Sequence, residues 1–347
     1  MSQYLFSSID ELKAHIPVAY TTLGIEDEKP FILLAQETYL KPVLGEQLYD
    51  QLLDMVDPDG DSGSGSGSGS GGVSDGLLEQ LRDKCRPAVA MLAYYEGLPF
   101  LEVKISKQGI HQVSGDELKP IFSTQRQRLE SALLKLGYNA LEQVVVWLEK
   151  KKSGFGVWTQ STAYTEYKGR FVESAARFTE LWGKVDNKRL TYVALKSVMD
   201  EVERSEVQNI LGTGLYTQLK AQLVAGNVGV ANAVLLPMIR PLVAYRTAAD
   251  AMPYLSMSIE AYGVFSQSIY SNERNVQAFE RPDAARFAQE LEQLQSKANS
   301  YAAKLKKYLN ENVDDYPLFE SSDAYDADHT ETGGSIDDQD DLGIVMF

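Results

Sequence analysis

Apolar residues recur every three or four positions along most of the chain, the spacing that lines them up on one side of a helix. Ser8 and Glu11 have the form of a capping box, so a short helix is predicted to start ahead of Leu12. Pro30 suits the first turn of a second helix, whose apolar face would be Ile32, Ala35, Tyr39, Leu40 and Val43. Leu44-Gly45 breaks that run, and the glycine is expected to be a left-handed residue closing the helix. A third helix follows through Leu48, Tyr49, Leu52 and Val56. Residues 77–95 read as a long helix containing Pro87, which predicts a kink or a boundary between two helices. In "FLEVKISKQGIHQVS" strict alternation replaces the helical period, with Leu101, Val103 and Ile105 set against Ile110 and Val113 around Gly109. That is the pattern of a β-hairpin. Helical spacing returns from Pro120 through Phe122, Leu129, Leu133, Leu136, Leu141, Val145 and Leu148. "GFGVWTQSTAY" then reads as an extended aromatic segment packed back onto the helices by Trp158 and Tyr164.

The same pattern occurs twice. "LGEQLYDQL" (44–52) matches "LGTGLYTQL" (211–219) at six of nine positions, and "RPAVA" (86–90) matches "RPLVA" (240–244). "GLPFLEVKISKQG" (97–109) falls on "AMPYLSMSIEAYG" (251–263), and "FGVWTQSTAY" (155–164) on "YPLFESSDAY" (316–325). Four matches in the same order indicate a tandem duplication. A helix from Pro282 to about Asn312 is the expected counterpart of the one that opens at Pro120. The predicted fold is therefore mainly α, two tandem repeats of a helical bundle, each with one β-hairpin. The first repeat is assigned to residues 1–168, the second to 169–327, and an acidic tail with an apolar end to 328–347.

The duplication also places the run "DGDSGSGSGSGSGGVSDG". Between Leu52 and Arg86 lie 33 residues, against 20 between Leu219 and Arg240, and the excess falls where Gly and Ser alternate. The run at 57–76 is thus a loop inserted inside the first repeat, not a linker between domains. A surface insertion of this kind costs about 1 kcal/mol or less in loop closure. Asp57, Asp59 and Asp61 have the spacing of a calcium loop, but Ser68 stands where a bidentate Glu is needed. No lysine follows before Lys84, so a phosphate-binding loop is excluded as well.

Net charge is −16, of which −11 lies in the residues from Asp314 onward, where no Lys or Arg occurs. Phosphate binding needs clustered cations, so the near-neutral body argues against sequence-specific nucleic-acid recognition. No apolar run approaches the ~18–20 residues of a membrane span, and the N-terminal stretch has no secretory pattern, so neither membrane insertion nor export is expected. The single cysteine, Cys85, cannot pair within the chain and is read as a small buried hydrophobe.

Catalytic chemistry finds no constellation here. His15, His111 and His329 fall in separate elements, and no metal, nucleophile-elbow or dinucleotide motif is present. The expectation is a non-enzyme with no catalytic residue, no cofactor and no metal.

With the helix, loop, "LRDKCRPAVAMLAYYEG" and hairpin in order, "YLKPVLGEQLYDQL" resembles the head–tail connector (adaptor) proteins of tailed bacteriophages and prophages. The residues that carry it are Tyr39, Leu40, Pro42, Leu44, Gly45, Leu48 and Tyr49. The second copy keeps Leu211, Gly212, Leu215 and Tyr216 but has Glu206 and Asn209 in place of the Tyr and Pro. The chain departs from typical adaptors in being a double copy with a tail. The resemblance implies a virion structural protein at the head–tail junction, assembled in the bacterial host cytoplasm. It would form a homo-oligomeric ring that binds the portal protein on one side and a neck or tail protein on the other. On a twelvefold portal, six chains would give pseudo-twelvefold symmetry and twelve would stack their copies in two tiers. The alternative is a protein-binding scaffold or assembly module outside the mature virion.

Two sets of apolar residues are candidates for partner contacts. Hairpin edges can pair with another chain, which points to Val103, Ile105 and Ile110 and their counterparts Met257, Ile259 and Val264. The tail ends in "LGIVMF", and Leu342, Ile344, Val345, Met346 and Phe347 at the end of an acidic spacer are expected to act as a tether.

Overall fold

Ser8 caps the first helix, α1 (Ile9–Lys13), by accepting from the Glu11 N–H at 3.2 Å. The Glu11 carboxylate reaches one residue further back than a standard capping box, accepting from the backbone and hydroxyl of Ser7 at 2.8 and 2.9 Å. Ser174 does the same for the equivalent helix of the second copy, taking the Arg177 N–H at 3.1 Å. The computed structural model describes residues 4–16, 25–55, 73–101, 103–106, 109–112, 123–253, 257–260, 263–266 and 284–325.

After α1 the first copy continues through α2 (Ile25–Ala35), a π-helical turn (Gln36–Leu40), α3 (Lys41–Leu44) and α4 (Glu46–Asp54). It is completed by α5 (Asp75–Leu101), the strands β1 (Val103–Ser106) and β2 (Gly109–Gln112), α6 (Ser123–Lys150), α7 (Gly156–Thr159) and α8 (Thr162–Lys168). The second copy repeats the order. It has α9 (Ala175–Leu181), α10 (Arg189–Val202), a π-helical turn (Glu203–Val207), α11 (Gln208–Ala225), α12 (Val230–Ala233) and α13 (Leu236–Ala251). Strands β3 (Met257–Glu260) and β4 (Gly263–Ser266), then α14 (Ala284–Glu311) and α15 (Pro317–Glu320), close it. The strands pair antiparallel within each copy, with Ile105 opposite Ile110 and Ile259 opposite Val264.

Each copy buries its own core. In the first, Ile32, Leu40, Leu48, Leu81, Leu148 and Trp158 join one cluster; in the second, Met199, Leu211, Leu215, Ile239, Leu309 and Phe319 join another. Cys85 lies fully inside the first, and burial pushes its thiol up, so it behaves as a small apolar filler. Among the described residues no single helix is long and apolar enough to cross a membrane; the apolar pair Arg189–Ala225 and Val230–Ala251 is bent by 94°. That pair spends Leu195, Leu219 and Leu242 on the second core.

Three devices recur at equivalent places and explain the shared sequence. The first joins Leu-Gly to the aromatic segment. Gly45 (φ 76, ψ 156) and Gly212 (φ 72, ψ 154) share a backbone conformation that side-chain-bearing residues scarcely enter. A Cβ on Gly45 would lie 2.9 Å from the Ser161 Cβ, and one on Gly212 2.5 Å from the Ser322 Cβ. Each serine in turn closes the segment by donating to the carbonyl three residues back, Trp158 at 2.7 Å and Phe319 at 2.6 Å. The glycine and the Ser-x-Ala-Tyr motif are thus two sides of one contact.

The second and third devices clamp one backbone residue from both sides. The Gln36 side chain accepts from the Leu5 N–H at 2.9 Å, while Arg86 donates to the Leu5 carbonyl at 3.2 Å. In the second copy Glu203 accepts from the Phe171 N–H at 2.8 Å and Arg240 donates to the Phe171 carbonyl at 3.0 Å. Gln36 and Glu203 each open the π-helical turn, a one-residue insertion of the sort often found where a helix must redirect a side chain. The arginine before Pro87 and Pro241 is therefore what the Arg-Pro pairs hold in common.

Several expectations are corrected. The second helix is already running at Ile25, so Pro30 lies inside it, preceded by the acidic residues Glu26, Asp27 and Glu28. Gly45 has positive φ but is not αL, since ψ is 156. No boundary falls at Pro87: α5 runs on through it and through Pro99, held by packing along α2 and α6. The aromatic segments are short helical turns, not extended chain, because Ser161 caps α8. Leu136 is 46 % exposed and leaves the predicted apolar face. Val56, Val113, Pro120, Phe122 and Pro282 lie outside the described residues.

Glu203 yields a pH prediction. Burial raises its carboxyl above the ordinary 4.5, against the opposing pull of the Lys220 ammonium and the Phe171 N–H. Its contribution to stability is therefore full at low pH and lost as pH climbs from 4.5 through the raised folded value. Glu203→Gln, for which Gln36 is the internal precedent, should flatten that loss. In urea unfolding at about pH 4.5 and about pH 7, the variant should gain on the parent at the higher pH. An equal difference at both pH values would contradict this.

Candidate functional site: the seam between the copies

The two copies meet where α6 of the first lies along α10 of the second and α8 lies against α11. Glu142 projects from α6 and Arg189 from the first turn of α10, and the two join at 2.6 Å with both side chains only 8 % exposed. One Glu142 oxygen, Oε1, has no partner, so its desolvation is incompletely offset. Arg170, in the segment between the copies, donates to both carboxylate oxygens of Asp200 at 2.7 and 2.9 Å and to the Glu166 carbonyl at 2.7 Å. It thereby ties the end of α8 to α10. On the other flank Lys168 pairs with Glu149 at 2.8 Å.

Arg170, Arg189 and Glu166 line a cavity of about 150 Å³. Its wall carries Tyr39, Tyr138, Tyr167, Tyr192 and Lys196 beside the two arginines. Burial, with the charges of Arg189 and Arg170 behind it, brings the Lys196 ammonium down to about 8. Glu173 adds a carboxylate whose Oε2 is buried without a partner. A small-molecule site normally measures roughly 300–1,000 Å³, so this space is too small for a sizeable substrate. Both arginines are already committed to carboxylates. A broader groove of about 490 Å³ flanks the seam, lined by Asn139, Glu142, Gln143, Asp186 and Asn187. Among the described residues no cluster of His, Cys, Asp and Glu is arranged to hold a metal. The arrangement fastens two bundles together.

None of the sequence-selected contact residues lines this cavity. Val103, Ile105, Ile110, Met257, Ile259 and Val264 lie in the paired strands, and Leu342, Ile344, Val345, Met346 and Phe347 lie outside the described residues. The seam residues were missed because each looks like an ordinary charged surface position of its own helix. A signal existed in the comparison of the copies: in register, Glu142 faces Ala303 and Arg189 faces Thr22.

The profile of one family, described as a family of unknown function (DUF6712), matches this chain twice, over residues 40–168 and over residues 207–329. No curated protein and no solved structure matches the chain.

Proposed function

The chain belongs to DUF6712, carrying the family's module twice in tandem, and from that premise we propose that it is a structural protein of a tailed phage. In this reading it is a head–tail connector. It forms a homo-oligomeric ring at the head–tail junction, between the portal protein and the next neck or tail component. Assembly takes place in the bacterial host cytoplasm and requires no cofactor and no chemistry. The observation that supports the reading best is the seam: two copies of one bundle joined through a buried ion pair around a cavity too small for a substrate. What the copies share is likewise structural, namely the glycine–serine contact, the π-helical turn and the arginine clamp.

Imaging of the purified chain mixed with portal rings of the same virus tests the proposal. Decoration of one end of the portal is the expected result. Bare portal rings at saturating chain would remove it.

A further inference from the structure

The internal seam has a counterpart that is not filled among the described residues. In register, the α6 residues that face the second copy fall on the outer side of α14: Gln143, Val145 and Val146 correspond to Lys304, Lys306 and Lys307. Val145 is buried, whereas all three lysines are exposed. On the opposite flank of the molecule, the α10 residues that face the first copy fall on α2, where Val193 corresponds to Glu26 and Lys196 to Lys29. Glu26 and Asp27 are exposed there.

The two open faces therefore differ in sign. From Lys297 to Glu311, α14 carries four lysines and one glutamate, while the exposed acids of α2 are Asp27 and Glu26, the latter paired with Lys29 at 2.5 Å, and Glu28 is buried. The sign is also reversed relative to the seam, where α6 supplies the carboxylate and α10 the arginine. A lysine-bearing α14 placed on α10 would meet Arg189 and Lys196 and be repelled, so it does not compete for the internal seam. Placed on α2 it meets the opposite charge.

We infer that the lysine face of α14 docks on the acidic α2 face of a second copy of this chain, repeating between chains the packing that α6 and α10 make within one. The contact is heterologous, so it propagates until it closes on itself. Modules then alternate first, second, first, second around the assembly. This inference rests on the ring reading above and specifies the surface and the partner.

Sedimentation velocity on the full chain tests it through a charge swap. Lys304→Glu, Lys306→Glu and Lys307→Glu together should weaken self-association about tenfold or more. Glu26→Lys with Asp27→Lys should do the same from the other side. All five positions are exposed, so far-UV circular dichroism and melting should match the parent. Neither variant alone should assemble, but an equimolar mixture should, because each reversed face finds a matching one in the other variant. Association that ignores the charge reversal, or a mixture that stays dissociated, would overturn the inference. A parent chain that remains monomeric at low salt would overturn it too. The two readings fail separately. Charge-swapped assembly that leaves portal rings bare sinks only the connector role, and portal decoration with charge-independent association sinks only this interface.

Discussion

Gly212→Ala is expected to destabilise the second copy by about 4 kcal/mol, combining backbone strain with overpacking. The glycine sits at φ 72 and ψ 154, a conformation that costs any side-chain-bearing residue dearly. The new methyl would also lie 2.5 Å from the Ser322 Cβ. Ser322 has little room to withdraw, since its hydroxyl donates to the Phe319 carbonyl at 2.6 Å and accepts from the Ala324 N–H at 3.3 Å. Gly45→Ala has nearly the same backbone strain with a looser 2.9 Å approach to Ser161, so a smaller loss is expected in the first copy. Gly183→Ala is the control, because nothing lies within 4 Å of its Cβ position. Denaturant unfolding of the three variants checks the order Gly212, Gly45, Gly183. Equal effects at Gly212 and Gly183 would remove the contact from the account.

Arg189→Met should cost about 3–5 kcal/mol, because it strands the Glu142 carboxylate in the seam. The loss should appear as an uncoupling of the two copies, with each core unfolding in its own transition. Exchanging the whole pair, Arg189→Met with Glu142→Leu, should recover most of that stability, since a buried ion pair is commonly worth no more than an apolar pair of similar volume. A double-mutant cycle on melting or urea midpoints gives the coupling directly. Additive losses from the two single changes would mean that the pair does not hold the seam.

The duplication was readable in the sequence because it rests on local matches, Leu-Gly, Arg-Pro and Ser-x-Ala-Tyr, each of which marks one of the recurring contacts. Helix positions followed from apolar spacing for the same reason: Leu48, Tyr49 and Leu52 all lie in the first core. What failed was set by tertiary contacts. Gln36 and Glu203 are polar residues on apolar faces, explained by the Leu5 and Phe171 N–H groups they receive and by their further partners Tyr49 and Lys220. Pro30 looked like a helix start because its geometry fits one, yet the helix is already running at Ile25. The seam was not legible from periodicity, because Glu142 and Arg189 are 47 residues apart and belong to different copies, and only aligning the copies sets them apart.

The claim on which all of this depends is that the module's surfaces serve cohesion between copies, first within the chain and then between chains. Native mass measurement of the purified protein tests it most directly. A closed assembly of six chains on a twelvefold portal, with its modules alternating around the ring, is the expected result. A single chain persisting at the highest attainable concentration in low salt would contradict it.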